Sequence, residues 1–195
     1  MDNPQETCSS IASRRSWKAD PQRLYARHPT VSKGTITMNL DPQWVVGFVD
    51  GEGCFFIGVQ RNPTVRIGFQ VIPEFRVVQH KRDLDVLHGL KKFFGFGRIC
   101  QNHDDRWEYR VRKLEQLREI AAFFEKYSLR TKKRIDAQRF AKVLTLMEDG
   151  RHLTNEGLRE IEDIALSMNT GNRPRLQALL DEDRVHSGVK ASEEK

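Results

Sequence analysis

The apolar positions divide the chain into alternating helical and extended runs that begin near residue 42. Asp41-Pro42 gives a helix start, because an Asp side chain accepts from the first free N–H groups and Pro fits the first turn. The run Trp44-Val45-Val46-Gly47-Phe48-Val49-Asp50-Gly51-Glu52-Gly53 reads as a hydrophobic helix. Gly51 and Gly53 are expected to stop it by taking the left-handed conformation. Residues 54–62 alternate as a strand, with Phe55, Ile57 and Val59 on one face. After the turn Asn62-Pro63-Thr64, a second strand is predicted over 66–79, with Val71, Pro73, Phe75 and Val77 on one face. Pro73 has no N–H to give a ladder and predicts an edge position or a bulge. Helical spacing returns over 83–94 through Leu84, Leu87, Leu90 and Phe94, and Gly95 ends it. A second hairpin follows, with strands over 97–102 and 106–113 about His103-Asp104-Asp105. Helices then fill 114–126, 131–147 and 154–168. The last has Thr154 as N-cap but Gly157 at the third position, so its capping box is incomplete. The order αββαββα with further C-terminal helices predicts an α+β domain, its helices covering one face of a four-stranded antiparallel sheet.

Two features of the first helix go beyond packing. Gly47 and Gly51 are four apart and share a face, which leaves it without side chains and lets another backbone come close. Asp50 and Glu52 stand at the C-terminal end, where the helix macrodipole disfavours acids unless a cation offsets them. Taken alone, two solvated acids in a turn would satisfy the same pattern.

The whole string is more specific than its parts. It resembles the LAGLIDADG motif of homing endonucleases: Val45 to Gly53 match in register, with Gly47, Asp50 and Gly53 identical and Glu52 in place of the second Asp. The resemblance implies that the motif helices of two subunits pack through Gly47 and Gly51. It implies that Glu52 binds a divalent metal, Mg²⁺, with the Gly51 carbonyl as second ligand, and that Asp50 is structural, bonding to backbone at the paired helix ends. Phe75-Arg76-Val77-Val78-Gln79 resembles the family segment that brings a polar residue to the metal site, which gives Gln79 the role of orienting a water. Leu129-Arg130-Thr131-Lys132-Lys133 resembles the family's Leu-x-Thr-Lys-Lys segment, and its first lysine, Lys132, is implied in charge stabilisation or water activation.

By alternation, the sheet face turned away from the helices carries Gln60, Asn62, Gln70, Glu74, Arg76, Arg98, Asn102, Glu108, Arg110 and Arg112. Arg can read guanine, Asn or Gln adenine, and Glu cytosine in a major groove. A polar outer face is also the ordinary state of an antiparallel sheet. The resemblance turns this face into a DNA-binding saddle. Lys126, Arg130, Lys132, Lys133, Arg134, Arg139 and Lys142, against the single acid Asp136, add a basic stretch suited to phosphate contacts, though for most of them a solvated helix face explains as much.

Composition narrows the rest. The chain has 195 residues and a formal charge of +6, which permits nucleic acid among other acidic partners without selecting it. Cys8, Cys54 and Cys100 are too few for a disulfide framework or a zinc site and suit a reducing compartment inside the cell, whether bacterial cytoplasm, plastid or mitochondrion. There is neither an apolar run of membrane-spanning length nor a secretory leader pattern. Residues 1–38 read as a flexible extension, 39–169 as the endonuclease domain and 170–195 as a tail. With one motif only, the resemblance implies a homodimer on a long, pseudo-palindromic duplex site. It implies a site-specific, metal-dependent double-strand DNA endonuclease of the intron-encoded kind, without a small-molecule cofactor. An RNA maturase aiding splicing and a non-cleaving DNA-binding regulator are the alternatives on the same fold.

Overall fold

The computed structural model describes residues 38–169, 173–174 and 176–178. The extension over 1–38, Met38 apart, and nearly all of the 170–195 tail lie outside the described residues. Helix α1 (Pro42–Glu52) starts as expected: the Asp41 carboxylate accepts from Gln43 N at 2.7 Å and Trp44 N at 3.4 Å. It runs into strand β1 (Gly53–Arg61), followed by β2 (Phe69–His80), α2 (Leu84–Phe94), β3 (Arg98–His103), β4 (Arg106–Val111), α3 (Leu114–Lys126), α4 (Lys133–Glu148) and α5 (Asn155–Ser167). The strands form one antiparallel sheet in the order β1-β2-β4-β3. Helices α1 to α5 each bury side chains in one core against one face of the sheet, as the pattern predicts. Phe55, Ile57, Phe75, Val77, Tyr109 and Val111 meet Leu87, Leu90, Ile120, Phe124, Phe140 and Ile161 there.

The end of α1 differs from expectation. Gly51 is still helical, and Gly53 is extended at φ −75°, so no left-handed residue stops the helix. Gly53 is needed for room instead: a Cβ there would lie 2.5 Å from Val49 Cγ1 and 2.9 Å from Val49 O. The chain therefore passes from helix into strand without a loop, and Glu52 is fixed at the joint.

Pro73 sits at a local sheet edge, one of the two positions expected, and not at a bulge. It pairs in register with Ile57, in a central strand. It is tolerated because β4 joins β2 only from Phe75 onward, so the side of β2 that lacks an N–H at Pro73 has no neighbour to bond. The β1–β2 turn is longer than predicted, reaching Gly68 at φ 73°.

Gly157 accounts for the missing capping-box acid. Thr154 caps α5 by accepting from Gly157 N at 3.1 Å, and a Cβ on Gly157 would lie 2.2 Å from the backbone oxygen of Arg151. Gly157→Ala is expected to destabilise the domain by about 1–3 kcal/mol, the usual cost of overpacking, read as a lowered midpoint in thermal or urea unfolding.

Candidate active site and nucleic-acid interface

The site grows from the last turn of α1. Val45, Val46 and Val49 are buried and hold the helix on the sheet, which leaves Trp44, Gly47, Phe48 and Gly51 along its other side. Trp44 and Phe48 stack with ring centroids 4.8 Å apart, and a Cβ at Gly47 or Gly51 would meet nothing within 4 Å. Trp44 is 40% exposed, a large apolar area for a free helix face. Glu52 is exposed at the end of this face.

Asp50 fastens the loop before α4 to the end of α1. Its carboxylate accepts from Arg130 N at 2.6 Å, Thr131 N at 3.2 Å and Thr131 Oγ1 at 2.7 Å. Partial burial pushes its acidity toward the neutral form. The bonds from Arg130 and Thr131, with the charge of Lys133, outweigh that, and the pKa sits below the usual carboxylate value. Asp50 is thus tied to the α3–α4 loop of its own chain, whereas the resemblance places its backbone partners at the paired helix ends.

Lys133 is the lysine that reaches the motif. Its Nζ donates to Gly53 O at 2.5 Å and Gly51 O at 3.4 Å, placing a cation at the negative end of α1. Lys132 is exposed at the start of α4 and forms no side-chain bond to Asp50, Glu52 or the glycine carbonyls among the described residues. Helix α4 begins two residues later than predicted because Thr131 is held by Asp50, and Thr131 Oγ1 accepts from Lys133 N at 3.2 Å. Gln79 lies on the helix side of β2, half-buried and paired with Trp107, one row past the Gly53–Val77 pair. It shares no bond with Glu52 among the described residues.

On the outer face the expected residues fall into two groups. At the β1–β2 end, Asn62 Nδ2 and Gln60 Nε2 donate to Gln70 Oε1 at 3.1 and 3.5 Å, an exposed amide cluster. Arg98 and Asn102 are exposed on β3. Glu74 and Glu108 correct the expectation of an exposed row: they are 4% and 0% exposed. Alternation put them on the polar face, but Arg76, Arg110 and Arg112 from that strand and its neighbour close over them.

No group of three or more His, Cys, Asp or Glu gathers as a metal cage among the described residues, and no described helix is long and apolar enough to cross a membrane. What one copy offers a hard cation is the Glu52 carboxylate and the Gly51 carbonyl. Oxygen donors suit hard cations such as Mg²⁺ or Ca²⁺, and two of them are fewer than the roughly six such a cation takes.

The chain belongs to the LAGLIDADG endonuclease family, whose sequence profile matches residues 45–144. Among solved structures, the homing endonuclease I-TnaI is 57% identical over 74% of this chain and 99% of its own, with a TM-score of 0.72. I-SmaMI bound to cleaved DNA is 40% identical over 76% of this chain and 50% of its own, with a TM-score of 0.71. A Neurospora crassa protein named as a probable intron-encoded endonuclease is 34% identical over 77% of this chain and 29% of its own length. A Podospora anserina protein from an intron of ND4 is 34% identical over 59% of this chain and 26% of its own. The chain spans only 26–39% of the curated relatives it matches.

Proposed function

We propose that this chain is a site-specific, intron-encoded DNA endonuclease that acts as a homodimer and hydrolyses phosphodiesters with a divalent metal, Mg²⁺. The observation that carries the reading is the joint at Glu52. An exposed carboxylate stands where a glycine-lined helix face ends, on a domain whose other face offers arginines and amides to a duplex. Family membership and the printed names of the relatives, I-SmaMI with cleaved DNA among them, support the same substrate.

Two copies meeting through Gly47 and Gly51, with the Trp44–Phe48 stack buried at the seam, would bring two Glu52 side chains together. The chain matches about half of I-SmaMI and nearly all of I-TnaI, which fits a unit that needs a second copy. Glu52 and the Gly51 carbonyl would hold the metal, which supplies an acidified water and neutralises charge on the scissile phosphate. I-SmaMI has been seen with uncleaved DNA in the presence of calcium ions, which fits oxygen ligands of this kind. Asp50 keeps the Lys133 loop against the end of α1, and Lys133 holds the two glycine carbonyls in place. Lys132 and Gln79 retain the roles the resemblance gives them, provided that metal and DNA draw their side chains toward Glu52.

The test is cleavage of duplex DNA spanning the intron-free insertion site, with Mg²⁺ and with EDTA. Position-specific double-strand cuts that require Mg²⁺ are expected. Tight binding without cuts would move the reading to a maturase or a regulator. Gly47→Leu is expected to place a side chain in the seam and shift the sedimenting species from dimer to monomer at micromolar concentration. An unchanged dimer would reject this helix face as the interface.

A further inference from the structure

The register of the outer face places like charges side by side. Arg110 of β4 pairs with Arg76 of β2 and with Arg98 of β3, and Arg112 follows two residues on. Like charges directly opposite repel, so such a row needs a compensating device. The device lies beneath it. Glu74 Oε2 accepts from Arg112 Nε at 2.5 Å and lies 3.7 Å from Arg110 Nε, while its Oε1 is 3.5 Å from Arg76 Nη1. Glu108 Oε1 takes Arg110 Nη2 and also accepts from Cys100 Sγ at 3.5 Å. Arg76 is held from a further side, its guanidinium 5.3 Å over the Phe56 ring.

We propose that Glu74 and Glu108 are positioning residues for sequence recognition, which pre-set Arg76, Arg110 and Arg112 to read guanine edges in each half of the DNA site. The inference rests on the endonuclease reading above and deepens it. Neither carboxylate can meet a base itself, since both are buried under the guanidiniums. Their charges also cancel two of the three positive charges above them, which weakens sequence-blind attraction to phosphate. What survives is direction. The guanidinium fork matches guanine O6 and N7 only when its plane is fixed, and a buried carboxylate fixes it before DNA arrives. A cluster meant for phosphates would gain nothing from acids beneath it.

The experiment is enrichment of bound duplexes from a randomised library in EDTA, using the full chain, Glu74→Gln, Arg112→Lys and Arg112→Ala. The wild-type site is expected to contain guanines in each half. Preference for them should fall about tenfold or more in Glu74→Gln and, at a shared position, in Arg112→Lys, which keeps the charge but loses the fork. The salt dependence of binding should hold in Arg112→Lys. If Glu74→Gln does not fold, as circular dichroism will tell, the exposed Arg112→Lys change carries the test alone. Enriched guanines indifferent to these changes overturn the positioning role. So does an Arg112→Ala variant that weakens all sequences equally and lowers the salt slope by about one, the mark of a phosphate contact. A wild-type chain that enriches no sequence would overturn the DNA reading itself, and the positioning role with it.

Discussion

Replacing Glu52 by Gln is expected to abolish Mg²⁺-dependent cleavage while leaving duplex binding within a few-fold of the parent. The change keeps the size of the side chain and its place at the α1–β1 joint, and it removes the negative charge that a hard cation requires. Metal stabilisation of a developing phosphate charge is worth several kcal/mol, so the loss should reach about 10³-fold or more in single-turnover rate. Binding should survive because the outer sheet face and the basic start of α4 are untouched. Glu52 is exposed and supports no packing, so the fold should persist as well. Parallel loss of binding and cleavage would assign Glu52 a structural role and leave the metal site without its principal ligand. Cleavage gels and filter binding with the same duplex separate these outcomes.

Asp50→Ala is expected to act on the fold first and on activity through it. Three donors, from Arg130 and Thr131, would lose one charged acceptor, and hydrogen bonds to charged groups contribute about 1.5–3 kcal/mol each. Water can replace some of them at this half-buried position, so a loss of about 2–3 kcal/mol in urea unfolding is expected. The loop carrying Lys132 and Lys133 would loosen, and cleavage should fall even at temperatures where the variant remains folded. The pH dependence follows from the lowered pKa. A carboxylate more acidic in the folded than in the unfolded chain contributes its stability in full above the unfolded value of about 3.9 and loses it as the pH falls through the folded value. The parent should therefore weaken steeply below about pH 4, and Asp50→Asn should flatten that limb. A parent curve unaltered by Asp50→Asn would show that other carboxylates govern the acid limb.

The elements were legible because local rules sufficed for them. Asp41-Pro42 and the valines at 45, 46 and 49 specify a helix start and a buried stripe, and strict alternation at 55–59 and 107–111 specifies which strand face enters the core. The failures share a cause, which is contact between residues distant in sequence. Glu74 and Glu108 obey the alternation and point outward, yet Glu74 is buried because Arg112, 38 residues away, folds over it, and Glu108 packs against Cys100 of β3 as well as Arg110. Adjacent lysines at 132 and 133 differ in role only because Asp50 stops the loop at Thr131, which turns Lys133 back onto α1. Gly53 could not be assigned to close packing rather than to a left-handed turn, since glycine permits both and only the position of Val49 decides. The Trp44–Phe48 stack has a local signal, two aromatics four apart on the glycine side of a helix.

The segment after α5 closes the outer side of β1. Asn169 Nδ2 donates to Phe55 O at 3.3 Å, and Arg173 donates from Nη2 to Ile57 O at 2.7 Å and from Nη1 to Ala165 O at 2.9 Å. Those strand carbonyls would otherwise invite a passing chain to add itself as a fifth strand. With those two carbonyls taken, the β1 rim is poorly suited to edge-to-edge stacking of copies. The proposed isologous contact through α1 would exhaust itself at two copies. The same few residues would thus keep the proposed dimer from polymerising through this edge.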